Sequence, residues 1–355
     1  MNTRQKIFKY LQWSVLSAAS FSMVACNSED FILDAISTDD DVVCTEDTTD
    51  VDFKQIAYWA ENDDETLEDI DFSKLTHIIY DKIGVSSDGS LIISDDLEDE
   101  LNDLVDAVDD SGEGTLILFS IGNDSDTAFS AIANSSTALA NFNDEIQDLF
   151  DDYDIDGIDI NWQFPSEDDE DDFETLIESV EETVHDESKL LSFVVDAGDD
   201  DSLTDSISDD ALEDADFINI LTVENSSNDD DGDNLEEAED SITYWTDERC
   251  IVKNKLVVAI PAQGISTDDV SKSFADIFDH KNSDACLDRT ASRTYYYYNG
   301  IPTATDKTEY AESNAGGVVL TSLQNDIFDS DDIDDYSLLT TIDSQVNGTP
   351  NTICD

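Results

Sequence analysis

The sequence predicts an α/β protein folded as a closed (β/α)8 TIM barrel, and three observations carry that prediction. From Gln55 to Ser322, short runs rich in β-branched and aromatic residues alternate with segments of helical period, the pattern of a parallel sheet crossed over by helices. About 330 residues follow the apparent export signal, enough for one large barrel with a full core and too few for two. The third observation is the stretch Tyr153 to Pro165, YDIDGIDINWQFP. If it is extended, the two-residue side-chain period sends Ile158, Ile160, Trp162 and Phe164 to one face and Gly157, Asp159, Asn161 and Gln163 to the other. In a barrel wrapped by helices the apolar row meets the helices, and the polar row points into the mouth, where such barrels carry their chemistry.

The chain begins with Arg4, Lys6 and Lys9, then a mostly apolar or small stretch over residues 11 to 25, ending Met23-Val24-Ala25-Cys26. This reads as an export signal over 1–26 with a lipobox-like end, predicting cleavage before Cys26 and lipidation of that cysteine. The apolar run is too short for a comfortable membrane span. Residues 27–50 are acidic and aperiodic, as a tether would be, and 51–355 form the barrel domain.

The remaining elements follow in order. Gln55 to Ala60 reads as the first strand and Leu75 to Val85 as the second, followed by a helix marked by Leu97, Leu101, Leu104, Val105 and Val108. Thr115 to Ser120 is the third strand. Leu139, Phe142, Ile146, Leu149 and Phe150 mark the helix that delivers the chain into the two-faced stretch, and Phe173, Leu176, Ile177, Val180 and Val184 mark the helix after it. Strands five to eight are Leu191 to Ala197, Phe217 to Glu224, Leu256 to Gly264 and Gly316 to Ser322. The tyrosine run within Tyr295 to Tyr310 is read as core and sheet packing, with a sugar-stacking platform as the alternative.

Charge excludes whole classes of partner. Acidic residues number 89 against 15 basic, a formal net charge of -74, which repels nucleic acid and anionic membrane surfaces and leaves a lipid at Cys26 as the route to a membrane. Such self-repulsion needs screening, so the chain reads as adapted to high salt. A disordered acidic chain is excluded by a hydrophobic content of 39% recurring with clear periodicity. The cluster Asp229-Asp230-Asp231-Gly232-Asp233 lacks an acid at both end positions of a calcium loop, Ser227 and Ala238, and no metal or other cofactor is expected. With Cys26 assigned to lipid, Cys44, Cys250, Cys286 and Cys354 remain for disulfides. Three pairings are open; Cys44 with Cys354 and Cys250 with Cys286 is favoured, because the first and last strands of a closed barrel are neighbours.

The two-faced stretch resembles the signature of glycoside hydrolase family 18, the chitinase-like hydrolases, whose fourth strand reads DG-x-D-x-D-x-E. Here the row is Asp156, Asp159, Asn161, Gln163. The resemblance extends to LTHIIYDK, where Asp81 and Lys82 replace small and aromatic residues and His77 is structural. It extends further to Ser120-Ile121-Gly122-Asn123 for SxGG and to FINILTVE for FINxMTYD, with Val223 and Glu224 replacing tyrosine and aspartate. Leu256 to Gly264 resembles GIPFYG with Gln263 in place of the aromatic, and GGVVLTS resembles GGVMIWE with Thr321 in place of the sugar-stacking tryptophan.

The resemblance implies a proton-donating glutamate at 163 and an acetamido-orienting aspartate at 161, and both are amides here. A carboxamide has no acidic proton at working pH, so Gln163 cannot act as general acid. Substrate contacts are expected at Tyr58, Trp162, Val223, Gln263 and Thr321, the last three standing where the family keeps a tyrosine, an aromatic and a tryptophan. The expectation is an exported protein that binds chitin or another N-acetylglucosamine-containing glycan without hydrolysing it. Two alternatives stand: an active hydrolase using Glu224 as substitute acid, and a structural or interaction protein on a barrel scaffold.

Overall fold

The computed structural model describes Cys44 and residues 52–60, 67–123, 127–162, 165–198, 204, 206–221, 234–266, 268, 270–278, 285–290, 296–328 and 336–354. All of these lie in the unit spanning 42–355, and the proposed signal, tether and Cys26 lie outside the described residues.

Eight strands form the barrel: β1 (Lys54–Trp59), β2 (His77–Val85), β4 (Leu116–Gly122), β5 (Gly157–Asn161), β6 (Leu190–Asp196), β7 (Phe217–Leu221), β8 (Leu256–Pro261) and β12 (Gly317–Thr321). Each pairs in parallel with its neighbours, and β1 bonds to both β12 and β2, so the sheet closes on itself. A short β3 (Leu91–Ile92) adds an antiparallel edge to β2. Helices α1 (Asp95–Ser111), α2 (Thr127–Ala133), α3 (Ser136–Asp152), α4 (Glu170–Asp186), α5 (Asp209–Asp214) and α6 (Asn234–Thr243) fill the crossovers from β2 to β8. After β8 the chain forms a separate antiparallel sheet of β9 (Gln263–Ser266), β10 (Ser271–Ser273) and β11 (Tyr296–Tyr297), with α7 (Phe274–Ile277), then α8 (Ile301–Asn314) returns it to β12. A last helix, α9 (Leu338–Val346), follows. No helix among the described residues is long and apolar enough to cross a membrane.

The helices start where local chemistry dictates. Ser94, Ser135 and Ser337 each accept a backbone N–H of the first turn of α1, α3 and α9, satisfying donors that the helix leaves orphaned. The first turns of α1 and α4 carry three acids each, where the helix dipole stabilises negative charge. The chain's acidity is thus spent partly where it supports structure.

The core has two layers, split by strand parity. Ile158, Ile160 and Trp162 of the two-faced stretch pack outward among the helices, with Trp162 stacked on Phe129 of α2 at 5.3 Å between ring centroids. Inside the barrel, Ile56, Ile79, Leu118, Phe217, Val257 and Val319 fill the lower lumen. Strand β5 approaches β6 so closely that a Cβ on Gly157 would lie 2.3 Å from the Leu190 carbonyl oxygen, so only glycine fits the start of β5.

Three expectations are corrected. The disulfides are Cys44–Cys250 and Cys286–Cys354 rather than Cys44 with Cys354 and Cys250 with Cys286. Adjacency of the first and last strands did not decide the pairing, because Cys44 and Cys354 lie well outside β1 and β12 and follow the loops and α9 instead. The seventh strand ends at Pro261, not Gly264; Ala262 donates its N–H to Thr321 and the chain turns away into β9. Asp156 precedes β5 and its carboxylate accepts the Ile117 N–H at 2.9 Å near the start of β4, at the end of the barrel opposite the mouth.

Candidate functional site

Strand parity brings five polar side chains together halfway up the lumen. Asp159 of β5 is fully buried; it accepts from Ser120 Oγ of β4 at 2.7 Å and from Ser192 Oγ of β6 at 2.7 Å. The Tyr58 hydroxyl of β1 also bonds to Asp159, and Asn219 Nδ2 of β7 reaches both Tyr58 Oη at 2.9 Å and Asp159 Oδ1 at 3.4 Å. Five strands therefore converge on one carboxylate. Burial raises the Asp159 carboxyl above the usual carboxylate range, the donors around it pull back down, and the charge of Asp81 adds to the rise. Burial raises the Tyr58 phenol as well, followed by the charges of Asp159 and Asp81. Lower on β2, burial holds His77 near a pKa of about 4, so it stays neutral; its Nδ1 pairs with the Thr76 hydroxyl and its ring packs on Phe217.

One step nearer the mouth lies Asn161, 5% exposed. Its Nδ2 donates to Asp81 Oδ1 at 3.5 Å, the long end of a hydrogen bond, while its buried Oδ1 finds no partner among the described residues. Gly122 of β4 sits alongside: a Cβ there would lie 2.7 Å from the Asn161 carbonyl oxygen and 3.1 Å from Lys82 Cδ.

Of the residues expected from sequence, the structure brings Tyr58, Asp159 and Asn161 together. Thr321 ends β12, partly exposed, at the same end of the barrel. Gln263 lies beyond the barrel strand, where its Oε1 accepts from Ser271 Oγ of β10. Trp162 is corrected as a substrate contact: it is 1% exposed and packed between Phe129 and Phe173 on the helix side, because odd and even positions of a strand face opposite ways. Asp156 is corrected likewise, being at the opposite end of the barrel. Gln163, Val223 and Glu224 lie outside the described residues.

Ser120, Ser192, Asn219 and Asp81 were not singled out as site residues. Parity would have flagged Ser192, since a serine at alternate spacing with Leu190 and Val194 must share the lumen. Asp81 was visible only as a departure from the family pattern.

A closed parallel barrel with a buried acidic hub beneath its C-terminal mouth defines a (β/α)8 protein of the kind that hosts its site at that mouth. The chain belongs to the glycosyl hydrolases family 18, whose sequence profile matches residues 54–326. Similar solved structures include the GH18 chitinase ChiB from the chitin utilization locus of Flavobacterium johnsoniae, with a TM-score of 0.69 and 21% identity over 83% of this chain and 94% of that one. The class V chitinase of Nicotiana tobaccum, solved as a Glu-to-Gln mutant in complex with NAG4, has a TM-score of 0.71 and 17% identity over 84% and 99%. The chitinase-like agglutinin RobpsCRA of Robinia pseudoacacia has a TM-score of 0.68 and 17% identity over 82% and 98%. No curated protein matches the chain.

Proposed function

We propose that this chain is an exported chitinase-like protein that binds chitin or another N-acetylglucosamine-containing glycan in its barrel mouth and does not hydrolyse it. The observation that carries the reading is the pair of amides, Asn161 and Gln163, in the motif that supplies family 18 with its orienting acid and its proton donor. An amide keeps nearly the shape and the hydrogen-bonding capacity of the acid but releases no proton. The intact hub one step below Asn161 supports binding, because Asp159 and its four donors give the mouth a polar floor. Of the similar folds, one is named an agglutinin and another holds NAG4 with a glutamine in place of a glutamate, so the same architecture carries proteins described by binding.

The two disulfides support passage through an oxidising compartment. They use four of the five cysteines, and the fifth, Cys26, stands at the lipobox-like site, which fits a lipid-anchored surface protein. The net charge of -74 supports a working environment of high salt, where repulsion is screened within a few ångströms.

The test is calorimetric titration of the purified chain with chitotetraose in molar salt, beside chromatography of the same mixture after prolonged incubation. Saturable binding without shortened products is expected, with binding lost in Asp159→Ala. Products that vanish in Glu224→Gln would replace this reading with an active hydrolase. Neither binding nor products would leave the barrel as an interaction scaffold.

A further inference from the structure

Strand β2 carries a register shift against β4 between Tyr80 and Ile83: Tyr80 pairs with Phe119 and Ile83 with Ile121, so Asp81 and Lys82 together oppose the single residue Ser120. An extra residue of this kind flips the faces of a strand. Ile79 fills the lumen, yet Ile83, an even number of positions later, packs outward against the helices. Both residues of the bulge therefore fall on the inner side, Asp81 in step with Ile79 and Lys82 in step with Gly84. Their contacts agree: Asp81 reaches Asn161, and the Lys82 stem lies beside Gly122 next to Asn161. A carboxylate enters the mouth from a strand that contributes none of the motif acids.

We propose that Asp81 is a positioning residue that orients the Asn161 carboxamide, turning Nδ2 toward itself and presenting Oδ1 as the acceptor for the amide N–H of an acetamido sugar. The chemistry is one of elimination. A carboxylate only accepts, so the side of Asn161 that faces it must be the NH2 group, and the oxygen is left on the other side. That oxygen is buried and without a partner among the described residues, which leaves it open to a donor from water or, when the mouth is filled, from a ligand. An aspartate at 161 would accept from an N–H in either orientation; an asparagine does so in only one, and Asp81 selects it. The inference deepens the glycan-binding reading and rests on it for the identity of the ligand.

The test is a two-by-two set of chains titrated with chitotetraose in molar salt: wild type, Asp81→Ala, Asn161→Asp and the double variant, each checked for folding by thermal melting. Asp81→Ala is expected to weaken binding about tenfold, the loss of one well-placed hydrogen bond. Asn161→Asp is expected to weaken binding in the wild-type background, where it sets two carboxylates face to face, and to restore it to within about threefold in the Asp81→Ala background. The same sign in both backgrounds would overturn the inference, since a merely structural aspartate gives no such reversal. A readout without ligand separates this from the function: the Asn161 side-chain amide protons, assigned by their disappearance in Asn161→Asp, are expected to move upfield in Asp81→Ala. If they do not move, the orientation is wrong. If they move but wild type does not bind chitotetraose, the orientation stands and the assignment of the sugar falls.

Discussion

Two aspartates are fully buried among the described residues, and they are held in different ways. Asp326, just past β12, accepts the backbone N–H groups of Leu338 and Leu339 at 2.9 Å each and the Ser337 hydroxyl at 2.8 Å, so it ties the start of α9 to the barrel. Asp159, in the lumen, is held by side chains alone: two serine hydroxyls, a phenol and a carboxamide from four other strands. Burial raises both carboxyls above their ordinary range, and donors offset part of that in each. The difference lies in the donors. Backbone N–H groups can only donate, whereas hydroxyls donate or accept by rotating, so the first site is fixed by the fold and the second can change its proton pattern without moving an atom of backbone. A carboxylate gripped by adaptable partners is the one suited to respond to a ligand.

The largest effect that would sharpen this contrast is Asp326→Asn. Whichever way the amide is turned, its NH2 group meets a backbone N–H that has no other acceptor, so one buried donor is orphaned. A loss of about 2 kcal/mol in unfolding free energy is expected, read from the denaturant midpoint in molar salt. A loss as small as that of Asp159→Asn would erase the distinction between the two sites.

Ser192→Ala comes next. It removes a 2.7 Å donor to Asp159 while leaving Ser120 and Tyr58 in place, and a loss of about 1 kcal/mol is expected. The lost hydrogen bond favours the charged carboxylate, so the penalty should grow as pH rises above the ordinary carboxylate range, through the raised folded-state pKa of Asp159. A penalty that is flat with pH would mean that Ser192 only fills space.

The hub itself was half legible in the sequence, and the reasons are particular. Period two placed Asp159 and Asn161 inside and Ile158 and Ile160 outside, because one face of β5 is forced against the helices. The same rule, applied strictly, would have removed Asp156: it stands three residues from Asp159, an odd spacing that no strand puts on one face. Trp162 follows the rule too: the parity that sets Ile158 and Ile160 against the helices sets it there as well. The bulge at Asp81 and Lys82 leaves a single mark in the sequence, a step of three between the outward residues Tyr80 and Ile83, and it is blurred because Ile78 and Ile79 are apolar on both faces. The disulfide partners were not legible, because they depend on where long connections land after the barrel closes, and not on strand order.

The smallest expected change, and the most discriminating, is that of Asp159→Asn on stability. The amide is the neutral stand-in for a protonated Asp159, and its NH2 group can face Ser120 or Ser192 because either hydroxyl turns to accept. At acid pH, where the wild-type carboxyl is itself protonated, the two chains should be within about 0.5 kcal/mol of each other. The folded-state pKa of Asp159 is raised by burial, so its contribution to stability is fully present below the unfolded carboxylate pKa and is lost as pH rises through the folded value. The variant has nothing to lose in that window. Its stability relative to wild type should therefore climb with pH from the ordinary carboxylate range upward and level off once the wild-type group is ionised, while its affinity for chitotetraose falls. Denaturant midpoints of both chains at a series of pH values would show this; a difference that moves the other way would mean that the lumen donors outweigh burial, and that Asp159 is a carboxylate built for its charge, as Asp326 is built for its backbone contacts.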